Sequence, residues 1–336
     1  MITNMPKECG FVIATPVDGN IDVSDDIQSL IDSNPNKTIY FPDGEYLISK
    51  PIVTSAHPEK SVDLQLSNYA VIKATNDWNH TEAMIRLGGK DPANDICTNG
   101  SNYTLTGGII DGNGVANGVS IDSGRETAIR NTSIKHTIIG IRIKVGANAR
   151  SSDADIMNVN IVGTGGHDSI GVLIEGFDNT LTNMRIANVF TGVKIYAAGN
   201  FLRNIHPLYT SDYTNYENSC GFIDAVGNNW FDMCYSDEFS VGFKNTNCAR
   251  SIYNSCFCFW YSSNGGKKTA FKSDDAFESI VTDMNIGFKD ATTENAILKA
   301  EKQGGNGILH NLIVSEDLVS DNQYKEYLTG NVITRK

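Results

Sequence analysis

Proline is scarce in this chain of 336 residues, with 8, and tryptophan scarcer still, with 3. No apolar run approaches the ~18–20 residues that a bilayer-crossing helix needs, so a membrane-spanning helical protein is excluded. A tract of Lys or Arg is missing too. With a net charge of −12 and a pI near 4.9, the chain repels phosphate backbones, so no nucleic-acid partner is expected. Cysteines number seven, an odd count with no regular framework, which points to a reducing compartment. The start, from Met1 to Cys9, lacks a basic stretch followed by an apolar core, so no signal peptide is expected and the expected location is cytoplasmic. A secreted or virion location is the alternative.

What is present is asparagine, about one residue in ten, together with 31 glycines and a hydrophobic fraction of 40%. Both residues tolerate the left-handed conformation of tight turns, so the composition suits many short strands and does not suit a helical bundle. A phrase recurs: a small residue, an apolar residue, an alternating strand, a turn and a second strand. It begins at Gly118-Val119, Gly140-Ile141, Gly171-Val172, Gly192-Val193, Gly221-Phe222, Gly242-Phe243, Ala270-Phe271 and Ala296-Ile297. The apolar positions step by 22, 31, 21, 29, 21, 28 and 26, a unit near 21 residues with insertions. The ladder positions hold Val, Ile and Phe rather than a fixed Leu, which favours a parallel β-helix over a leucine-rich repeat. At the head, residues 23–32 read as a helix with Ser24 as N-cap, acidic residues in its first turn, and Ile27, Leu30 and Ile31 on one face. Two strands around Pro42-Asp43-Gly44 follow it. The expected fold is therefore all-β: a right-handed parallel β-helix with an N-terminal capping helix. Residues 1–19 form an extension, 20–336 the single domain and 20–50 its cap.

The cap, with Gly107-Gly108-Ile109-Ile110-Asp111-Gly112-Asn113-Gly114 after it, resembles the pectin-lyase-like superfamily of right-handed β-helices. That superfamily includes polygalacturonases, pectate lyases, fructan-processing enzymes and phage tailspike depolymerases. The resemblance implies carbohydrate chemistry. The polygalacturonase signature does not carry over: Arg142-Ile143-Lys144, Gly166-His167-Asp168 and Asp274-Asp275 come in the wrong order, and its Asn-Thr-Asp is missing.

Strand alternation predicts an outward column of Arg142, Leu173, Lys194, Ile223, Lys244, Lys272 and Leu298. A second column, two residues on, holds Lys144, Glu175, Tyr196, Ala225, Thr246, Asp274 and Ala300. A solvated sheet face with ordinary charge pairs is the plainer reading of these columns. The functional one is a sugar-binding groove, with Lys194, Tyr196, Lys244, Lys272 and Glu175 on its floor. Insertions before the repeated strand place His167, Trp230, Tyr235 and Trp260 as further substrate contacts, the aromatic residues as stacking surfaces for sugar rings. They also gather Asp212, Glu217, Asp237, Glu238 and Asp274, which are the candidate catalytic carboxylates. Glycoside hydrolysis needs two such groups, ~5–5.5 Å apart for retention or ~6.5–9.5 Å for inversion. The preferred expectation is a glycoside hydrolase, or an enzyme of intramolecular glycosyl transfer, acting on an oligosaccharide. A lyase acting by β-elimination on uronates is the runner-up, with the lysines neutralising the sugar carboxylate. A phage tail adhesin or depolymerase, or a noncatalytic glycan-binding solenoid, is the third class. Neither metal nor cofactor is expected, because the cysteines show no Cys-x-x-Cys spacing. The expected state is a monomer or a homotrimer.

Overall fold

The computed structural model describes residues 10–91, 103–123, 126–145, 152–210, 216–247, 249–261, 266–289, 295–315 and 323–335. They wind into a right-handed parallel β-helix in which every strand pairs with its counterpart one coil away. A front sheet of 10 strands runs from Ile52–Ser55 to Ala296–Ala300. A sheet of 19 strands forms the remainder of the wall. In the central coils each turn gives that larger sheet two short runs on either side of a single corner residue. We call the first run the side face and the second the rear face.

The corner residue is what bends the larger sheet. Asn158, Asn183 and Asn204 have φ of 55°, 55° and 52°, and Met233, Ser255 and Asp283 follow at 53°, 51° and 53°. Asn visits this left-handed region more cheaply than other non-glycine residues, which accounts for its repeated use in the earlier coils.

The recurrent small residue has an equally local cause. A Cβ built on Gly171 would lie 2.4 Å from Ile186 Cγ2 and 2.5 Å from the Gly192 carbonyl oxygen of the next coil. The register of the last front strand corrects the expected phase there. Thr269 pairs with Ala296 and Lys272 with Lys299, so Ile297, not Ala296, occupies the small-residue position. Among the described residues no front strand pairs beyond this one. Because side chains alternate, the one-residue slip reverses the faces. Leu298 is fully buried, and Lys299 and Glu301 take the outward places expected for Leu298 and Ala300.

The interior columns are as read: Val172, Ile174, Val193, Ile195, Phe222 and Phe243 are all at most 1% exposed and stack coil on coil. Helix α1, Ser24–Asp32, buries Ile27 and Ile31 over the first coil, as its amphipathic pattern requires. Its N-cap is Val23 without a side-chain bond, so Ser24 is not the cap. The Ser24 hydroxyl instead bonds Asp22 and accepts from the Ser49 amide, tying the helix to the coil below. Strands Phe11–Ile13 and Asp18–Asp22 also pair into the stack, so the boundary drawn at residue 20 falls inside a strand.

Candidate functional site

The front sheet presents its outward side chains as a ladder. The register Arg86–Ser120–Arg142–Leu173–Lys194–Ile223–Lys244–Lys272–Lys299 crosses nine coils. At ~4.8 Å per coil this makes a track roughly 40 Å long. Two residues further along each strand stand Asp122, Lys144, Glu175, Tyr196 and Asp274, with Glu301 at the end. The track thus carries the cations Arg86, Arg142, Lys144, Lys194, Lys244, Lys272 and Lys299 against the acids Asp122, Glu175, Asp274 and Glu301. It is net positive in a chain of net −12.

The charges are paired across coils. Arg142 Nε lies 2.8 Å from Glu175 Oε2, and Lys244 Nζ lies 2.7 Å from Asp274 Oδ2, with Lys272 at 3.8 Å from the other oxygen. Asp122 is the most engaged, with Arg86 at 2.6 Å, Lys144 at 2.8 Å and the Ser120 hydroxyl at 2.6 Å. Burial raises the energy of its charge, but the bonds from Lys144, Ser120 and Arg86 outweigh that and hold its carboxyl below the usual range. The Glu175 bond, opposed by burial, raises the Arg142 guanidinium above its ordinary value. Lys194 differs: its ammonium lies 5.1 Å from the ring centroid of Tyr196, which is 48% exposed. At the early end of the track a cleft of about 220 Å³ opens between Glu82, Asn117, Ser120, Ile139, Arg142 and Lys144.

The other expected site residues scatter. Asp274 belongs to the front track, whereas Asp237 lies on the rear face, where Leu208, Asp237 and Phe259 are in register. His206 Nε2 is 3.3 Å from Asp237 Oδ2. Tyr235 stacks between His206, at 4.1 Å, and Phe257, at 4.7 Å. Both faces of the Tyr235 ring are therefore taken, and only its edge is left for a ligand. Burial, then the charge of the hydrogen-bonded Asp237, pushes the Tyr235 phenol well above its usual value. Glu238 turns the corner at φ 63° and accepts a hydrogen bond from the Tyr261 amide, so it clamps backbone.

Glu217 is exposed in the segment before the front strand Cys220–Asp224, and Asp212 lies outside the described residues. His167 packs edge-on against Phe190 at 4.7 Å, at the corner between rear face and front sheet. Trp230 is on the side face, 43% exposed. Trp260 is only 1% exposed, stacked on Phe288 at 4.4 Å, so its ring belongs to the core.

Sequence reasoning missed Arg86, because Ala83–Lys90 does not carry the repeated phrase, and left Ser120 and Asp122 out of the columns although Gly118-Val119 begins the phrase there. A signal was available: Asp122 follows Ser120 by two, as Lys144 follows Arg142. Among the described residues no cluster of His, Cys, Asp and Glu has the arrangement of a metal site.

Neither a protein-family model nor a curated protein sequence matches this chain. Solved structures do. A tailspike protein mutant of E. coli bacteriophage HK620, in complex with a pentasaccharide, aligns at TM-score 0.66 and 12% identity over 96% of this chain and 62% of its own. The catalytic domain of a GH87 α-1,3-glucanase, in complex with nigerose, aligns at TM-score 0.58 and 13% identity over 91% of this chain and 58% of that one. PfbA, a surface adhesin of Streptococcus pneumoniae, aligns at TM-score 0.55 and 13% identity over 96% of this chain and 89% of its own. These likenesses, with the two parallel sheets and the capping helix, show that the chain has a right-handed parallel β-helix fold.

Proposed function

We propose that the protein is a carbohydrate-recognising β-helix that holds an acidic, hydroxyl-rich glycan along its front track. One observation carries this reading: seven of the 27 Lys and Arg residues, against four acids, line one continuous sheet face that spans nine coils of an otherwise acidic chain. A glycan chain carrying carboxylates can exchange its charge against the existing pairs one coil at a time, keeping each hydrogen-bonding group satisfied. Lys194 beside the exposed Tyr196 ring offers a cation together with an apolar face, a combination suited to a sugar ring. The oligosaccharides in the tailspike and glucanase complexes support a glycan ligand in a fold of this kind.

Turnover of that glycan by hydrolysis or glycosyl transfer is the second reading. It is favoured by Asp237, a half-buried carboxylate in contact with a titratable imidazole, which is suited to proton transfer. Of the acids of the front track, Asp122, Glu175 and Asp274 are each committed to a cation, so recognition comes first. The deciding experiment is a panel of neutral and acidic oligosaccharides, scored for binding, for new reducing ends and for absorbance at about 235 nm. Binding of acidic glycans without either product supports recognition alone. New reducing ends that vanish in Asp237→Asn support hydrolysis, and absorbance at about 235 nm supports β-elimination. Lack of binding across acidic glycans, at low salt where charge is least screened, sinks the reading.

A further inference from the structure

The charges of the front track change sign with the coils. We call the two outward positions of one front strand a rung. The rung of Asp122 is followed by Arg142 with Lys144, then Glu175, then Lys194, then Ile223 with Ala225, then Lys244. Every second rung is therefore cationic, and the rungs between are acidic or uncharged. Exposed acids at the corner leading into the front sheet keep the same phase: Asp168 stands before the rung of Glu175, and Glu217 before that of Ile223. Glu238 stands before the rung of Lys244, but it is 7% exposed and bound to the Tyr261 amide. Outside these six rungs the charges balance. Glu82 offsets Arg86 on one side, and Lys272 with Asp274 and Lys299 with Glu301 follow on the other.

Cross-coil pairing explains part of the alternation, since Asp122 sits between Arg86 and Lys144, and Glu175 holds Arg142. It does not explain Lys194. The neighbours of Lys194 in register are Leu173 and Ile223, and among the described residues its ammonium meets the Tyr196 ring and no carboxylate. Yet Lys194 keeps the period, two rungs from Arg142 and two from Lys244. The cations Arg142, Lys194 and Lys244 thus recur about 9.6 Å apart, twice the coil rise.

An extended pyranose chain advances by close to one coil rise per sugar, because a ring with its linking oxygen is about as long as neighbouring strands are apart. A chain laid along the track meets a cation at every second sugar. We propose that the glycan taken here is a repeating disaccharide, in which one carboxylated sugar alternates with one uncharged sugar. This rests on the reading of the front track as a glycan site. The carboxylates lie over Arg142, Lys194 and Lys244, and the uncharged rings lie over Leu173 and Ile223, whose apolar surface suits a C–H face. A chain with a carboxylate on every sugar sets its additional charges beside Glu175, Asp168 and Glu217, on a protein of net −12. A wholly neutral chain covers the cations without pairing them.

The test is titration calorimetry of the full chain at low salt with matched hexasaccharides of one linkage, in a glucose series and a galactose series. Each series holds an alternating chain of uronate and neutral sugar, a chain of uronate alone and a neutral chain. In at least one series the alternating chain should bind at least ~10-fold tighter than the other two. Equal or tighter binding of the all-uronate chain in both series would overturn the proposal and leave the glycan reading standing. Lack of binding by every acidic chain would remove that reading and the proposal with it. Ile223→Lys puts a cation on an uncharged rung, at a position where both neighbouring rungs already carry Lys. It should tighten binding of the all-uronate chain by at least ~3-fold and change that of the alternating chain by less than ~2-fold. An unaltered ratio in a variant of normal circular dichroism would overturn the alternation. The wild-type comparison decides the proposal even where this variant does not fold.

Discussion

Along the inward columns of the front sheet, branched aliphatic side chains before residue 200 give way to rings and buried polar groups after it. One inward column of the front sheet reads Val119, Ile141, Val172 and Val193, then Phe222, Phe243 and Phe271. The next reads Ile121, Ile143, Ile174 and Ile195, then Asp224, Asn245 and Ser273. The rings stack at the coil spacing: Phe222 on Phe243 at 4.8 Å and 6°, Phe231 on Tyr253 at 4.4 Å and 9°. The polar groups close a network. Asp224 accepts from the Gly227 amide at 2.9 Å, the Asn229 side chain at 3.1 Å and the Ser251 hydroxyl at 2.5 Å, and Asn245 donates to the Tyr253 hydroxyl at 2.9 Å. Asn179, Asn200 and Asn229 form a buried amide ladder that crosses from one half to the other. One backbone period therefore accepts two interiors: one held by dispersion and apolar burial, the other needing exact donor–acceptor matching as well.

The contrast is broken most severely at Asp224. Asp224→Ala strands the donors it satisfies, including two backbone amides, and should cost about 4 kcal/mol or more. Ile195→Ala, one coil earlier in the same column, should cost about 3 kcal/mol through its cavity. Urea midpoints of the two variants measure the difference, and equal losses would show that the network adds nothing beyond packing. Next in size, Phe243→Ala should lose about 4 kcal/mol and Val193→Ala about 2 kcal/mol, since the ring loses stacked neighbours on both sides. If the valine costs as much as the phenylalanine, the ring stack is not what holds the later coils.

A smaller effect is expected from pH, on the surface of the earlier half. The folded-state pKa of Asp122 lies below the ordinary 3.8, so its pairs contribute stability above pH 3.8. That contribution fades as pH falls through the lowered folded value. Between pH 6 and pH 3 the wild type should therefore lose more stability than Asp122→Asn, which has no carboxylate to titrate. Parallel curves would show that Asp122 is not held low. Smallest of all, Lys194→Ala should leave stability within about 0.5 kcal/mol, because the side chain is a half-exposed surface group. The same change should weaken acidic-glycan binding about tenfold, as expected for one charge-assisted contact. Unchanged binding would separate the ladder from recognition.

The sequence by itself determined the repeat, the inward columns, the capping helix and the outward row of Lys194, Lys244 and Lys272, because each is a local pattern of period two or of coil length. Alternation tells which side of a strand a residue takes, and the coil spacing tells which strand stacks on which. Only the tertiary structure decided which rows share a surface. Asp237 and Asp274 come from neighbouring coils, yet Asp237 lies on the rear face and Asp274 at the end of a front strand. The ring of Tyr235 could be named from the sequence, but not that His206 and Phe257 cover both its faces, nor that Trp260 is interior. The slip at Ala296 that puts Lys299 outside instead of Leu298 was equally hidden, since a one-residue change of phase leaves composition untouched and reverses every side chain. Corner angles and register arise from packing between coils, and a pattern read along one strand holds no information about its neighbour.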